Sequence, residues 1–248
     1  MQKFPLKYED IDLYFDPVKH TYVVNNKIVR SVTGVTSMGV PKPQLISWLV
    51  NTPMVQAKSQ LNKLIDEGKK LDRVTLERVF LESSEKTEKI KKDAGLVGTV
   101  VHGLIEDYLK GKEIPEQTDK KVVSCWNTFL KWWDKQGYEP VEIEKKIYSK
   151  NYTYAGTLDL VVKDKKGNLV LIDIKTSNHI TFDYYLQLNA YRFAYEEETK
   201  SKISKSFVVR LPKKDSEIEI KEIPLNKKLF SAFIGAKYLM EQMQSIEY

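Results

Sequence analysis

The sequence predicts an α/β protein: a central mixed β-sheet with helices on both faces, built around an α-β-β-β-α-β core. Three observations lead there. Residues 154–178 carry two β-rich segments, AGTLDLVVK and NLVLIDIKTS, separated by the polar turn KDKKGN, which is the pattern of a hairpin. The segment that follows spaces Leu186, Ala190, Phe193 and Ala194 as one face of a helix, with Thr181 or Asp183 placed to cap it. A further apolar strand at 206–211 then ends at Pro212, so the helix stands where a crossover between two strands would.

Taken in order, residues 12–30 read as a short hairpin: Leu13 to Phe15 and His20 to Val24 are strand-like, Asn25-Asn26 supply the turn, and Ile28-Val29 resume. The hydroxyls of Ser31, Thr33 and Thr36 suit turn and cap roles, and Pro41 and Pro43 lead into a helix bearing Trp48. Residues 55–93 are charged and helical, with Leu61, Leu64, Ile65, Leu71, Leu76, Val79 and Phe80 as an apolar stripe. Gly68 is placed to break that run. A helix at 95–110 presents Val97, Val101, Leu104 and Ile105, with His102 and Glu106 one turn apart. A helix at 119–137 has Val122, Trp126, Phe129, Leu130 and Trp133 at core spacing. Gly137 to Pro140 turn into the strand VEIEKKIYS, where alternation puts Glu142 and Glu144 on one face and Ile143 and Lys145 on the other. Lys213 to Ser216 form a turn, and 217–223 alternate as a half-exposed strand. Asn226 caps a last helix, with Leu229, Phe230, Phe233, Ile234, Tyr238, Leu239 and Met243 inward. The whole is expected to be one domain, with 1–94 as an N-terminal hairpin and helical segment and 95–248 as the core.

At 248 residues with 42% hydrophobic content, the chain can bury a sizeable core. A net charge of +6 favours a polyanionic partner. Cys125 is the single cysteine, which excludes an internal disulfide and an iron–sulfur cluster held by cysteines of this chain. No apolar run is long enough to span a bilayer, and the start, MQKFPLKYEDIDLYF, carries no hydrophobic signal region. The expectation is an intracellular protein with no membrane partner. The phosphate-loop pattern Gly-x-x-x-x-Gly-Lys-Ser/Thr is absent, which removes nucleotide-driven unwinding.

The charged residues of the two central strands carry the chemistry. Asp159 lies on the first, and Asp173 and Lys175 share one face of the second. Carboxylates converging from neighbouring strands make an oxygen-rich site suited to Mg²⁺ or Mn²⁺. A lysine beside them can orient a water and stabilise developing negative charge. The plain alternative is a surface hairpin whose acids and lysine form ordinary salt bridges. His102 is a possible imidazole ligand, and Trp48, Tyr152 and Tyr154 are possible stacking surfaces for bases. Lys58, Lys63, Lys69, Lys70 and Arg73 either form a solvated helix face or contact phosphates.

The motifs Gly98-x-x-x-His102, Gly156-x-x-Asp159, Asp173-x-Lys175 and Gln187-x-x-x-Tyr191 occur in that order. Together they resemble the PD-(D/E)xK nuclease superfamily, and more closely its RecB-like branch, which includes phage exonucleases and the mitochondrial genome maintenance exonuclease. The likeness covers roughly residues 95–211, with Leu158 where the superfamily's name has proline. It implies a restriction-endonuclease-like core and a divalent-metal-dependent DNA nuclease. The implied activity is exonucleolytic on single-stranded or end-bearing DNA, in replication, recombination or repair, with a protein of those processes as a partner. It implies that His102, Asp159, Asp173 and the carbonyl of Ile174 hold Mg²⁺ or Mn²⁺ and that Lys175 assists the attacking water. Gln187 and Tyr191 would position Lys175 or the phosphate, and Glu144, on the strand before, would position water or the lysine. It also implies a cytoplasmic site of action, that of a host cell if the chain is phage-encoded. The rival classes are a non-catalytic DNA-binding recombination module, a structure-specific endonuclease and an RNA nuclease.

Overall fold

The computed structural model describes residues 1–214 and 216–246. The chain divides into two compact units, one formed by Met1–Val40 with the chain from Val100 onward, the other by Pro41–Thr99. The first unit holds a nine-stranded mixed sheet flanked by helices. Its opening is an antiparallel meander of β1 (Gln2–Phe4), β2 (Leu13–Asp16), β3 (Thr21–Val24) and β4 (Lys27–Ser31). Asn25 and Asn26 join β3 to β4 with φ of 46° and 64°, the left-handed pair a two-residue hairpin turn requires and asparagine tolerates. The hairpin strands therefore belong to the sheet unit, and the expected segment 1–94 does not hold together as one piece.

The Ser31 hydroxyl accepts from Gly34 N at 2.9 Å and caps α1 (Val32–Met38). Within the sheet unit the chain continues through the end of α3 (Arg73–Leu109), α4 (Lys120–Gln136), β5 (Glu139–Ser149), β6 (Tyr154–Lys163) and β7 (Leu169–Lys175). It closes with α5 (Phe182–Thr199), β8 (Ile203–Arg210), β9 (Glu219–Glu222) and α6 (Lys227–Ser245). The run from α4 to β8 is the expected α-β-β-β-α-β core, and α5 joins the parallel neighbours β7 and β8 as a crossover. The charged helix and the 95–110 helix are one continuous element, α3. No residue in its middle breaks it: Gly95, Gly98 and Gly103 are all accommodated as helix.

β6 organises the sheet. β5 runs antiparallel along one edge of it. Its other edge takes β4 in parallel at Tyr154 and Ala155, then β7 antiparallel from Leu160 to Lys163. Tyr154, Leu158, Val161 and Leu171 pack with Val32, Leu186, Ala190, Tyr191, Ala194, Phe230 and Phe233 into one buried cluster joining β6 and β7 to α1, α5 and α6. Phe193 stacks on Phe230 with ring centroids 3.8 Å apart. Asn189 is buried, donating to the carbonyls of Tyr185 and Pro224 while its Oδ1 accepts from Asn226 N. That side chain ties α5 to the cap of α6, where Asn226 in turn accepts from Leu229 N. The end of α3 packs on α4 through Tyr108 against Trp126 and Phe129. Ser124 and Cys125 of α4 donate to backbone carbonyls of residues 211–214.

Two expectations change, and one lies partly outside the described residues. Tyr238, Leu239 and Met243 lie on the exposed side of α6, each 55% exposed, because the inward stripe runs Phe230, Phe233, Ile234, Lys237 and Met240. The alternating segment 217–223 forms only the short, wholly exposed edge strand β9, with Ile223 buried beyond it. The turn expected at 213–216 includes Asp215, which lies outside the described residues. No helix among the described residues is long and apolar enough to cross a membrane.

The second unit is a helical hairpin of α2 (Pro43–Asp66) and the first part of α3. Gly68, with φ of 67°, sits in the break as expected. Asp72 accepts from Thr75 N at 2.8 Å and starts α3. Ala57, Val79, Ser83 and Thr87 are buried within this unit, and Gln60 donates to Glu82 across it. Of the expected apolar stripe, Val79 is sealed whereas Ile65 and Phe80 are more than half exposed.

The close packing at Gly156 gives a direct test. A Cβ on Gly156 would lie 2.7 Å from Tyr191 Cε1 and 3.1 Å from Val32 Cγ2, and Tyr191 is fully buried. Gly156→Ala is expected to destabilise the fold by about 1–3 kcal/mol through overpacking, measured by urea unfolding. Unchanged stability would show that Tyr191 can withdraw.

Candidate metal and catalytic centre

The centre begins where β6 and β7 part. They pair through Leu160 and Ile172, and the next step of that register sets Asp173 opposite Asp159. The ladder stops there. The amide of Ile174 donates instead to Asp159 Oδ2 at 2.7 Å. A side-chain carboxylate thus takes a strand amide, which satisfies a buried donor and fixes the Asp159 side chain at the fork.

β5 supplies the second acid. Ile143 pairs with Leu160 and Lys145 with Leu158, which places Glu144 across from Asp159. Glu144 has φ of 49° in the middle of a strand, a left-handed conformation that costs a non-glycine residue about 1–2 kcal/mol. It also breaks the alternation expected of β5. Glu142 and Lys145 meet each other at 3.4 Å and share a network with buried Glu198, whereas Glu144 turns to His102. Glu142 and Glu144 therefore do not serve one face.

α3 supplies the imidazole. His102 Nδ1 lies 3.4 Å from Glu144 Oε1 and 3.8 Å from Asp159 Oδ2. One ligand atom from each of His102, Glu144 and Asp159 falls within 4.8 Å of the others, a group that can hold a metal ion. Burial opposes charge on His102, but the Asp159 and Glu144 carboxylates outweigh it and hold the imidazole up at about 9. Burial raises Asp159, against the pull of His102 and Lys175.

Asp173 stands beside this group and not in it. It is 1% exposed, and Lys175 Nζ lies 2.7 Å from its Oδ2. Its Oδ1 is sealed from solvent with no hydrogen-bond partner among the described residues. Burial lifts the Asp173 carboxyl to about 6, with Lys175 opposing and Asp159 adding to the rise. For Lys175, burial works against the ammonium, yet Asp173 and Asp159 together raise it above its usual range. The orphaned oxygen and the two-carboxylate, one-imidazole donor set both suit a hard divalent cation. Of Ile174, the structure displays the amide toward Asp159.

α5 closes the centre. Gln187 Nε2 donates to the Tyr191 hydroxyl at 2.8 Å, so these residues one turn apart are held as a unit. Burial pushes the Tyr191 phenol well up, with Asp173 and Asp159 adding to it. The Lys175 ammonium lies 5.1 Å from the centre of the Tyr184 ring. Nothing in the spacing of the sequence marks Tyr184; it enters because the first turn of α5 follows the Lys175 strand end closely.

The residues expected to contact bases separate. Tyr154 does not stack on nucleic acid: it is fully buried, donates to the Ala190 carbonyl at 2.8 Å and packs edge-on to Phe233. As the first residue of β6, it points into the helical layer. Tyr152 is 39% exposed, with its ring edge-on to Phe230. Trp48, Lys58, Lys63, Lys69, Lys70 and Arg73 all belong to the helical unit. There Lys63 and Lys69 pair with Glu67, and Arg73 pairs with Glu77.

The fork between two strands thus gathers acids, a lysine and a helix histidine into a group that can hold a metal ion. Residues 119–247, just over half of the chain, match the model of the PD-(D/E)XK nuclease superfamily, and the chain belongs to that superfamily. Comparison with curated proteins gives no match. Among solved structures, the chain is similar to a candidate exonuclease from Eubacterium rectale, with 10% identity and a TM-score of 0.40 over 60% of this chain and 66% of that one. It is also similar to a repair endonuclease from Pyrococcus abyssi, with 20% identity and a TM-score of 0.28 over 52% of this chain and 45% of that one. The chain spans less than two thirds of the length of each.

The raised His102 pKa has a measurable consequence. Below about 9 the imidazole carries a proton that a divalent cation must displace. Calorimetric Mn²⁺ affinity is expected to rise with pH toward about 9, and His102→Gln is expected to flatten that rise. A pH-independent affinity in the parent protein would remove His102 from the ligand set.

Proposed function

We propose that this protein is a divalent-metal-dependent DNA nuclease that acts as an exonuclease on single-stranded or end-bearing DNA. The observation that supports it most is the convergence of His102, Glu144 and Asp159 beside the buried Asp173–Lys175 pair. His102, Glu144 and Asp159 would hold Mg²⁺ or Mn²⁺, with Asp173 adding its unpartnered oxygen. The bound ion would polarise the phosphate and acidify a water.

The remaining work falls to the chain. Lys175 is held protonated by two carboxylates, so it donates to a water and to the developing phosphorane charge; it does not begin as a base. The Tyr184 ring and the Asp173 carboxylate fix its ammonium from two sides. Gln187 and Tyr191, hydrogen-bonded to each other, hold the wall of the fork. The preference for DNA ends rests on the RecB-like motif order, and a net charge of +6 suits the polyanionic substrate.

Purified protein should degrade linear single-stranded DNA with Mg²⁺ or Mn²⁺, spare circular single strands, and stop with EDTA. Lys175→Ala should lower the rate on the order of a hundredfold or more with DNA affinity retained. Cleavage that resists EDTA contradicts the metal assignment, and cleavage of circles makes the enzyme an endonuclease.

We assign phosphate contacts to the helical unit. The acid partners of Lys63, Lys69 and Arg73 are exposed ones on the same helical segment, and such pairs are weak enough to yield to phosphate. Trp48 of that unit and the exposed edge of Tyr152 are the remaining candidates for base stacking. Neutralising Lys58, Lys63, Lys69, Lys70 and Arg73 together should weaken single-strand binding and reduce its salt dependence, because each lost phosphate contact removes a counterion-release step. Unchanged affinity and salt slope would leave this unit a solvated helical hairpin without phosphate contacts.

A further inference from the structure

The N-terminal strands, which lie outside the segment matched by the family model, reach the candidate centre chiefly through Lys146. Lys146 follows Glu144 by two residues, and its Nζ donates to the Glu144 carbonyl at 3.2 Å. The same ammonium lies 5.3 Å from the Phe4 ring centre on β1 and 5.4 Å from the Phe15 ring centre on β2. Phe15 leans on Tyr22 of β3, with centroids 4.7 Å apart. The Tyr22 hydroxyl is 2.7 Å from Thr157 Oγ1, and Thr157 is the cross-strand partner of Lys146. The contacts therefore close a ring: β1 and β2 hold the ammonium, the ammonium holds the Glu144 carbonyl, and β3 holds the strand that carries Asp159.

Glu144 needs such support. On either side of it the ladder is regular, with Ile143 opposite Leu160 and Lys145 opposite Leu158. Between them its backbone is left-handed, a conformation that persists only when surroundings impose it. The direction of a carbonyl is set by the ψ of its own residue, so a donor fixed on the Glu144 carbonyl fixes the backbone that aims the Glu144 carboxylate at His102.

We propose that Lys146, clamped between the Phe4 and Phe15 rings and the Glu144 carbonyl, is a positioning residue that holds Glu144 in its left-handed conformation and so sets the divalent-cation affinity of the centre. This rests on the reading of His102, Glu144 and Asp159 as a cation site. It makes a prediction opposite in sign to simple electrostatics. Glu106, Glu144, Asp159 and Lys110 are the charged groups that act on Lys146. An ammonium near a cation site repels the cation, so its removal by charge alone would tighten binding. Loss of the clamp would loosen it.

The test is calorimetric titration of the full chain with Mn²⁺ alone, alongside circular dichroism and thermal unfolding. Four proteins are compared: the parent, Asp159→Ala, Lys146→Met and Lys146→Arg. Lys146→Met keeps the aliphatic stem and should weaken Mn²⁺ binding by about 10–100-fold, as loss of an outer support does. Lys146→Arg keeps the donor and the ring contacts and should stay near the parent. Unchanged or tighter binding in Lys146→Met overturns the proposal while loss of binding in Asp159→Ala leaves the site reading intact. Parent-like binding in Asp159→Ala overturns the site reading and the proposal with it. Should Lys146→Met fail to fold, Phe15→Leu decides: weaker Mn²⁺ binding supports the clamp, and unchanged binding overturns it.

Discussion

The separation of β6 from β7 after Leu160 and Ile172 is the constraint on which the rest depends. A sheet that stayed zipped would give the Ile174 amide a main-chain partner and press Asp159 against Asp173. The fork gives that amide the Asp159 carboxylate. This places an acid where burial strongly disfavours its charge, and the surrounding residues answer that cost. His102 and Lys175 counter the rise in Asp159, and Lys175 also counters the rise in Asp173. Burial opposes the charge on both cations, and the acids offset it. Acids and bases are thus mutually dependent, and Asp173 Oδ1 is left without a protein donor among the described residues, an oxygen that a cation could satisfy.

The apolar layer makes the fork rigid. Tyr154 and Leu158 alternate with Asp159 along β6, so the strand that presents the acid is anchored on its other side in the α5–α6 layer. Gly156 lets the Tyr191 ring approach the strand closely, and Tyr191 in turn carries Gln187. One helix therefore both packs the core and walls the site. Asn189 extends the same economy to the α6 cap. A substitution anywhere along this path acts on the centre through packing, without touching a ligand.

Much of this was legible from spacing. Asp173 and Lys175 share a strand face, and Gln187 and Tyr191 share a helix face, because periods of two and of nearly four leave no other option. His102 could be named because a helix histidine ahead of those motifs fits the family order. What spacing could not show was a break in period. Glu144 is left-handed within a strand, so alternation wrongly paired it with Glu142. Lys146 acts through ring contacts from distant strands, and Tyr184 through its approach to Lys175 across the connection into α5, neither of which a period encodes. Tyr154 departs from expectation for the opposite reason: an aromatic residue at a strand entrance looks available, but the α5–α6 layer covers it. The helix at 95–110 and the charged segment before it form one α3, and the N-terminal hairpin joined the sheet through two parallel pairs at Arg30 and Ser31, too short a contact to foresee.

The central claim is that the fork with its helix histidine is a divalent-cation site. Anomalous diffraction from crystals soaked in Mn²⁺ tests it most directly. The account predicts a peak bounded by His102 Nδ1, Glu144 and Asp159, with Asp173 oriented toward the ion. A peak elsewhere on the protein, or no peak at saturating Mn²⁺ with Asp173 still paired to Lys175, would contradict it.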